Sequence, residues 1–291
     1  MKEEDSAVDL HTHTIYSDGT STPREVVLLA KKQGLRAIAI TDHDSTGGIA
    51  EAIEVGQEEE IEVISGIELS VFYEPFEDIH ILGYFIDSTH KELQEQLERF
   101  RQLRVTRGKK IVEEINRQLI KKGKVPLEWK GVVASAGVGS LGRPHIAQEL
   151  LRKGHAETIN EAFERFLIPY NIQKEKFPAE EGIALLKKVG GIAVFAHPHR
   201  VTDNLQDLGV LIRKLVELGL EGIEAYPGYH DRELTLYTAL SQELNLVLTG
   251  GSDYHGARKD RELSPSSGAL AIPYQVVKAL KNRLSLLEST S

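Results

Sequence analysis

The spacing of apolar residues along this chain changes period repeatedly, and each change marks an element. The opening Val8-Asp9-Leu10 reads as a strand, and its alternation puts His11 and His13 on one side. Asp18 follows on a loop that Gly19 lets turn sharply. Thr22-Pro23-Arg24-Glu25 is a helix start, with Thr at the cap, Pro at the first helical position and Glu at N3. That helix is expected to run to Gln33 and stop at Gly34. Ala37-Ile38-Ala39-Ile40 is a short strand of buried type ending in Thr41-Asp42-His43-Asp44. Strand, helix, strand, helix is the alternation of a parallel α/β fold.

Residues 61–73 predict a third strand, interrupted by Gly66 and carrying Glu68 in its apolar run. Residues 79–86 predict a fourth, with His80 near its start. The alternation then breaks. A long charged helical stretch covers 91–122, a turn follows at 123–126, and helical signals continue at 145–153 and 158–167. Residues 97–178 therefore read as a helical insert in a domain built from 1–96 and 179–291. The α/β rhythm resumes with helices near 179–189, 205–218, 231–243 and 274–287. Between them lie strands at 192–196, 222–225 and 246–249.

With 291 residues the chain is long enough for a full core, and 41% hydrophobic with 27% charged residues is a globular composition. Cysteine is absent, which removes disulfides, thiolate metal sites and cysteine nucleophiles. No run approaches the ~18 apolar residues of a membrane span. No signal-peptide pattern follows Met-Lys-Glu-Glu-Asp, so a cytoplasmic location is expected. A net charge of −9 argues against broad nucleic-acid coating, but an anionic substrate remains open if bound cations reverse the field locally.

The chemistry gathers where strands end: His11/His13, Asp42/His43/Asp44, His197/His199 and Asp253/His255. A lone His-x-His pair is better read as a strand cap than as a metal site. Four such clusters at the same end of successive strands match ligands converging on the mouth of a βα barrel. Imidazole and carboxylate suit Zn, Mn or Fe(II) better than Ca or Mg. Glu68 and His80 fit the end-of-strand rule less well, although a carboxylate buried in a strand is costly unless paired or metal-bound.

These stretches, HTHTIYSDGT, AITDHDS, GIELS, IHILGYFID, AHPHR and GGSDYHG, resemble the successive motifs of the polymerase-and-histidinol-phosphatase (PHP) family. Within it the chain is most similar to bacterial 3′,5′-nucleoside bisphosphate phosphatases, also described as 5′–3′ exoribonucleases on short RNA. The resemblance implies a distorted (β/α)7 barrel with a helical insert covering a site for up to three divalent ions. Its ligands would be His11, His13, Asp18, His43, Glu68, His80, His197, Asp253 and His255, with Glu68 bridging two ions and Mn favoured over Zn or Fe. Glu68, His197 and Asp253 would belong to the catalytic centre. Three divalent ions against three carboxylates leave a site charge of about +3, attractive to phosphate. The expected reaction is in-line attack of metal-activated hydroxide on phosphorus. The expected substrate is a nucleoside 3′,5′-bisphosphate or short RNA.

Other positions have competing readings. Asp42 or Asp44 is expected to orient His43, with helix capping equally open to Asp44. His199 is phosphate-contacting or structural. Arg101, Arg104 and Arg107 share a helix face, which is ordinarily solvated and paired with acids such as Glu98. The resemblance points instead to a second phosphate, held by Arg104, with Arg143 and His145 of Gly142-Arg143-Pro144-His145 at a helix start. Tyr170-Asn171-Ile172-Gln173-Lys174 departs from the Gly-rich form the family would have there. His90 and His155 are expected at the surface, and His230 near the barrel mouth. Two rival functions remain: a phosphatase for another monoester such as histidinol phosphate, and a non-catalytic metal-binding regulatory module.

Overall fold

The computed structural model describes residues 6–173, 175–226, 231–256, 262–265 and 271–290. His230 and Lys174 therefore lie outside the described residues. Two compact units make up the chain: Met1–Gln94 with Lys176–Ser291, and Glu95–Glu175.

The first unit is a mixed α/β barrel. It contains strands β1 (Ala7–Thr12), β2 (Ala37–Ile40), β3 (Glu62–Tyr73), β4 (Phe76–Tyr84), β5 (Ile192–Phe195), β6 (Gly222–Tyr226), β7 (Val247–Gly250) and β8 (Ile272–Pro273). They form one sheet in the order β7-β6-β5-β4-β3-β2-β1-β8. The ring nearly closes because the stretch after β7 returns to β1. His13 N–H donates to the Tyr254 carbonyl (2.8 Å) and Tyr254 N–H to that of His11 (3.3 Å). Alternate residues of the strands, Val8, Leu10, Ala37, Leu82, Val194 and Val247 among them, pack in one cluster with Val277 and Leu280 of the last helix. Seven strands were expected; the eighth is a two-residue strand antiparallel to the start of β1, too short to leave a periodic signal.

Helices α1 (Pro23–Gln33) and α2 (Ile49–Glu59) follow the first two strands. The α1 start forms as its sequence predicts: Thr22 and Glu25 cap reciprocally, and Gly34 ends the helix at φ 76°.

The sheet departs from the expected parallel order at β4, which runs antiparallel to both β3 and β5. β3 is also continuous through Gly66 rather than interrupted there. A Cβ at Gly66 would lie 2.9 Å from the Ile40 carbonyl oxygen and 3.2 Å from that of Gly83, so glycine is needed for close approach of two neighbouring strands.

The second unit holds most of α3 (Lys91–Lys121), with α4 (Trp129–Ala136), α5 (Arg143–Arg152) and α6 (Ile159–Ala162), the last running on into a π-helical turn at Phe163–Leu167. It has a core of its own, in which Ile111, Ile115, Val132, Ile146, Leu150 and Leu167 are buried together. α4 was not anticipated: in the eight residues of WKGVVASA a glycine and two valines offset the helix preference of two alanines and a lysine. Returning to the first unit, α7 (Ala179–Lys188), α8 (Leu205–Glu217), α9 (Asp231–Leu244) and α10 (Gln275–Thr290) complete the fold. No described helix is long and apolar enough to cross a membrane.

Candidate metal centre

The strand directions explain how distant residues meet. β3 pairs in parallel with β2 but continues past its end, so Glu68 bridges across to His43 just beyond β2. β4 returns antiparallel from the tip of that hairpin, which places His80, opposite Ser70, at the same end. Glu68 escapes a rule based on strand ends because β3 runs on past it, and His80 because an early position on an antiparallel strand is level with a late position on a parallel one.

Four overlapping groups result: His13, Asp18, His43 and His255; His11, His13 and Asp253; His11, Glu68 and His197; His43, Glu68 and His80. Within each, the ligand-type atoms lie within 4.8 Å of one another. All nine positions singled out as ligands appear in these groups, whereas His199, Arg104, Arg143 and His145 appear in none.

Glu68 is shared most widely. Its Oε1 lies 2.9 Å from both His80 Nδ1 and His197 Nε2. Its Oε2 lies 2.8 Å from His43 Nδ1, 3.3 Å from His13 Nε2 and 3.4 Å from His11 Nε2. Asp253 Oδ1 is 3.3 Å from His13 Nε2, and Asp18 Oδ1 is 3.1 Å from His255 Nε2.

Proximity here is not the same as satisfaction. Among the described residues, His11 Nε2, His13 Nε2, His43 Nδ1, His197 Nδ1, Asp18 Oδ1 and Glu68 Oε2 are buried with no hydrogen bond of acceptable geometry. Each such atom costs about 1–3 kcal/mol when nothing compensates it. That expense, concentrated on imidazole and carboxylate atoms in mutual reach, fits divalent cations of the Zn, Mn or Fe type.

The electrostatics of the bare fold agree. Burial alone would raise the pKa of Glu68, but His43, His80 and His11 outweigh it and hold the carboxyl well below its usual range. Asp18 and Asp253 are lowered in the same way, against burial, by the histidines around them. Burial disfavours charge on His13, yet Asp253 and Glu68 raise it to about 9. His80 is likewise raised to about 9, by Glu68 and Asp78. His255 goes the other way, to about 4, through burial and the neighbouring His13.

A second layer of polar residues sets these groups. His255 Nδ1 lies 2.7 Å from the Asp253 carbonyl oxygen. When Nδ1–H donates to that oxygen, Nε2 is left facing Asp18. Asp42 accepts from Thr14 N–H (2.7 Å), Thr14 Oγ1–H (2.6 Å) and Ser17 Oγ–H (2.5 Å), so it shapes the loop that carries Asp18 rather than orienting His43. Asp44 does not cap α2, whose N-cap is Gly48; its Oδ1 accepts from Ser70 N–H (3.1 Å). Asp9 shares the strand parity of His11 and accepts from the backbone N–H groups of His11, Ser252 and Ser264. Arg200 donates to Asp253 Oδ2 at 2.8 Å.

Glu224, Asp9 and Arg200 escaped the sequence reading. Glu224 stands in an apolar strand as Glu68 does, and the same anomaly would have flagged it. Asp9 continues the period of His11 and His13 one step back.

The remaining candidates are placed as follows. His199 is exposed in a single 3-10 turn, Pro198–Arg200. His145 is buried, and its Nδ1 accepts from Gly142 N–H at the start of α5. Arg143 lies over the Phe163 ring at 5.6 Å. Arg101 pairs with Glu98, and Arg107 donates to the Ile172 carbonyl and Asn171 Oδ1. Arg104 is half-buried on the same helix. His155 is not a surface residue: it is 6% exposed, and its Nε2 lies 2.7 Å from the Val125 carbonyl.

The family model described as PHP domain matches residues 9–170, the span that carries six of the nine candidate ligands. The chain belongs to the PHP family of phosphoesterases. It is 32% identical to the 5′–3′ exoribonuclease of Haemophilus influenzae, over 85% of this chain and 89% of that one. It is 29% identical to the 3′,5′-nucleoside bisphosphate phosphatase of Chromobacterium violaceum, over 85% and 87%. Among solved structures, a protein of Bifidobacterium adolescentis assigned to the metal-dependent phosphoesterases superposes with a TM-score of 0.82 at 30% identity, covering 95% of this chain and 96% of that one. This chain is accordingly a hydrolase of phosphate esters in which clustered His, Asp and Glu side chains are suited to metal.

Proposed function

We propose that this PHP-family enzyme removes the 3′-phosphate from nucleoside 3′,5′-bisphosphates, leaving 5′-nucleotides, and trims short RNA from its 5′ end by the same chemistry. The observation that carries the reading is the centre itself: nine buried or half-buried ligand-type residues in four overlapping groups, with six of their atoms lacking hydrogen bonds among the described residues. The substrate class is supported by relatives named for it, matched over most of both chains.

In this reading the nine residues, Glu68 among them, would hold up to three divalent ions, Mn most readily. Ions so held supply Lewis acidity toward phosphoryl oxygens and activate water near neutral pH. The protein's part is to converge nine side chains on one end of the barrel, to keep water from their buried faces and to hold Asp253 against Arg200. Arg143, in the first turn of α5, and Arg104 are assigned to a second phosphate of the substrate. Backbone N–H groups at a helix start together with a guanidinium suit an anion. A cysteine-free chain acting on nucleotides is assigned to the cytoplasm.

The test is phosphate release from adenosine 3′,5′-bisphosphate by the Mn-loaded protein, beside 5′-AMP, histidinol phosphate and an EDTA-treated control. Selective, EDTA-sensitive conversion of the bisphosphate is expected, and Asp253→Ala should abolish it. Activity confined to the monophosphates would replace the substrate reading with that of a simple phosphomonoesterase. EDTA-insensitive release would remove the metal from the account.

A further inference from the structure

We infer that Glu224 is a positioning residue of the metal centre: its two carboxylate oxygens set the tautomer of His11 and the backbone of His197. Glu224 is 2% exposed on β6 and belongs to none of the four ligand groups. Oε1 lies 3.0 Å from His11 Nδ1, and Oε2 accepts the His197 backbone N–H at 2.7 Å. One side chain thus ties His11, near the end of β1, to His197, two residues past β5 and 186 positions further along the chain.

Each contact has a consequence at the centre. An imidazole that gives Nδ1–H to a carboxylate presents Nε2 as a lone pair, and His11 Nε2 is one of the buried atoms without a hydrogen bond. His197 sits at φ 31°, ψ 56°, a left-handed conformation that a residue bearing Cβ rarely adopts. It also precedes Pro198, and residues before proline favour the extended region instead. A charge-assisted hydrogen bond to its N–H helps hold that conformation, and with it the ring that meets Glu68 at 2.9 Å.

The pairing demands a carboxylate. The backbone N–H of His197 is always a donor, and His11 Nδ1 must be a donor if Nε2 is to bind an ion. Two acceptors are required. Glutamine has nearly the same shape but offers one oxygen, so its NH2 would face one of the two donors or push His11 into the wrong tautomer.

The inference rests on His11 being a metal ligand, and Zn²⁺ alone serves as a diamagnetic probe. Calorimetric titration of the full chain should show Glu224→Gln binding Zn²⁺ about 10–100-fold more weakly than wild type, with Glu224→Asp recovering part of the loss. Circular dichroism of the metal-free variants would verify that they fold. In the Zn-loaded wild type labelled with ¹⁵N-histidine, His11 is expected to carry its proton on Nδ1. Wild-type Zn²⁺ affinity in a folded Glu224→Gln protein would overturn the inference, as would a His11 proton on Nε2. Should the glutamine variant fail to fold, Glu224→Asp decides: its shorter side chain should weaken Zn²⁺ binding and shift the His11 Nδ1 resonance, and wild-type values for both would overturn the inference. A wild-type protein that takes up no Zn²⁺ would defeat the metal centre as a whole, an outcome distinct from either.

Discussion

At the end of the barrel, Glu68 and Asp253 are buried among histidines that crowd one another as closely as they approach the acids. In the insert, Glu98, Glu114 and Glu161 each meet an arginine one helical turn away, with side chains 26–47% exposed. The same residue types serve opposite ends. Surface pairs three or four residues apart contribute about 0.3–0.5 kcal/mol each, cost little to form and are screened by salt. The barrel cluster spends folding free energy on atoms left without hydrogen bonds, an expense that bound cations would offset. A region that buries charge at a loss is where function should be sought, while a region that distributes charge cheaply draws its stability from its apolar core.

That contrast can be broken from either side. The largest effect is expected at its centre: Glu68→Ala should lower phosphate release on the order of a thousandfold, since one carboxylate serves five imidazoles, and steady-state assay with added Mn²⁺ measures it. Retained activity would show that Glu68 is no more than a buried ion-pair partner. In the insert, Ile115→Ala should cost about 2–5 kcal/mol in chemical denaturation, because Ile115 is fully buried in that unit's own core.

Proton linkage comes next. His13 and His80 are raised to about 9 in the bare fold, so they still hold protons at pH 7 that an entering ion must displace. Apparent Zn²⁺ affinity should therefore rise with pH up to about 9, by up to about tenfold per pH unit for each proton displaced. The stability these histidines give the metal-free protein has the opposite slope. Their folded pKa values exceed the unfolded value of 6.5, so the contribution is fully present below 6.5 and lost as pH rises through about 9. EDTA-treated protein should melt at a lower temperature at pH 9 than at pH 6.5; an unchanged melting temperature would mean that the histidines are not charged in the bare fold. The smallest effect is on the insert surface, where Arg101→Ala should change stability by no more than about 0.5 kcal/mol.

Much of the site was legible because imidazole and carboxylate residues of ligand type interrupt strong apolar runs at strand ends. His11/His13, His43, His197 and Asp253/His255 announce themselves in that way, and the α1 capping box is written in four consecutive residues. Glu68 needed the overrun of β3 past the end of β2, and His80 the direction of β4, which periodicity does not carry: a strand of either sense alternates alike. His155 looked like a surface residue because nothing nearby in sequence marks Val125, thirty positions away, as its acceptor. Glu224 carries no such cluster mark in sequence, because it is a carboxylate with no histidine in its own strand.

The central claim is that the barrel end holds divalent ions on these nine residues. Anomalous diffraction from crystals soaked in Mn²⁺ tests it most directly. Mn peaks are expected within bonding distance of Glu68, with His11, His13, Asp18, His43, His80, His197, Asp253 and His255 completing the ligand sets. A crystal with no peak near Glu68, or with Mn bound only elsewhere on the chain, would contradict it.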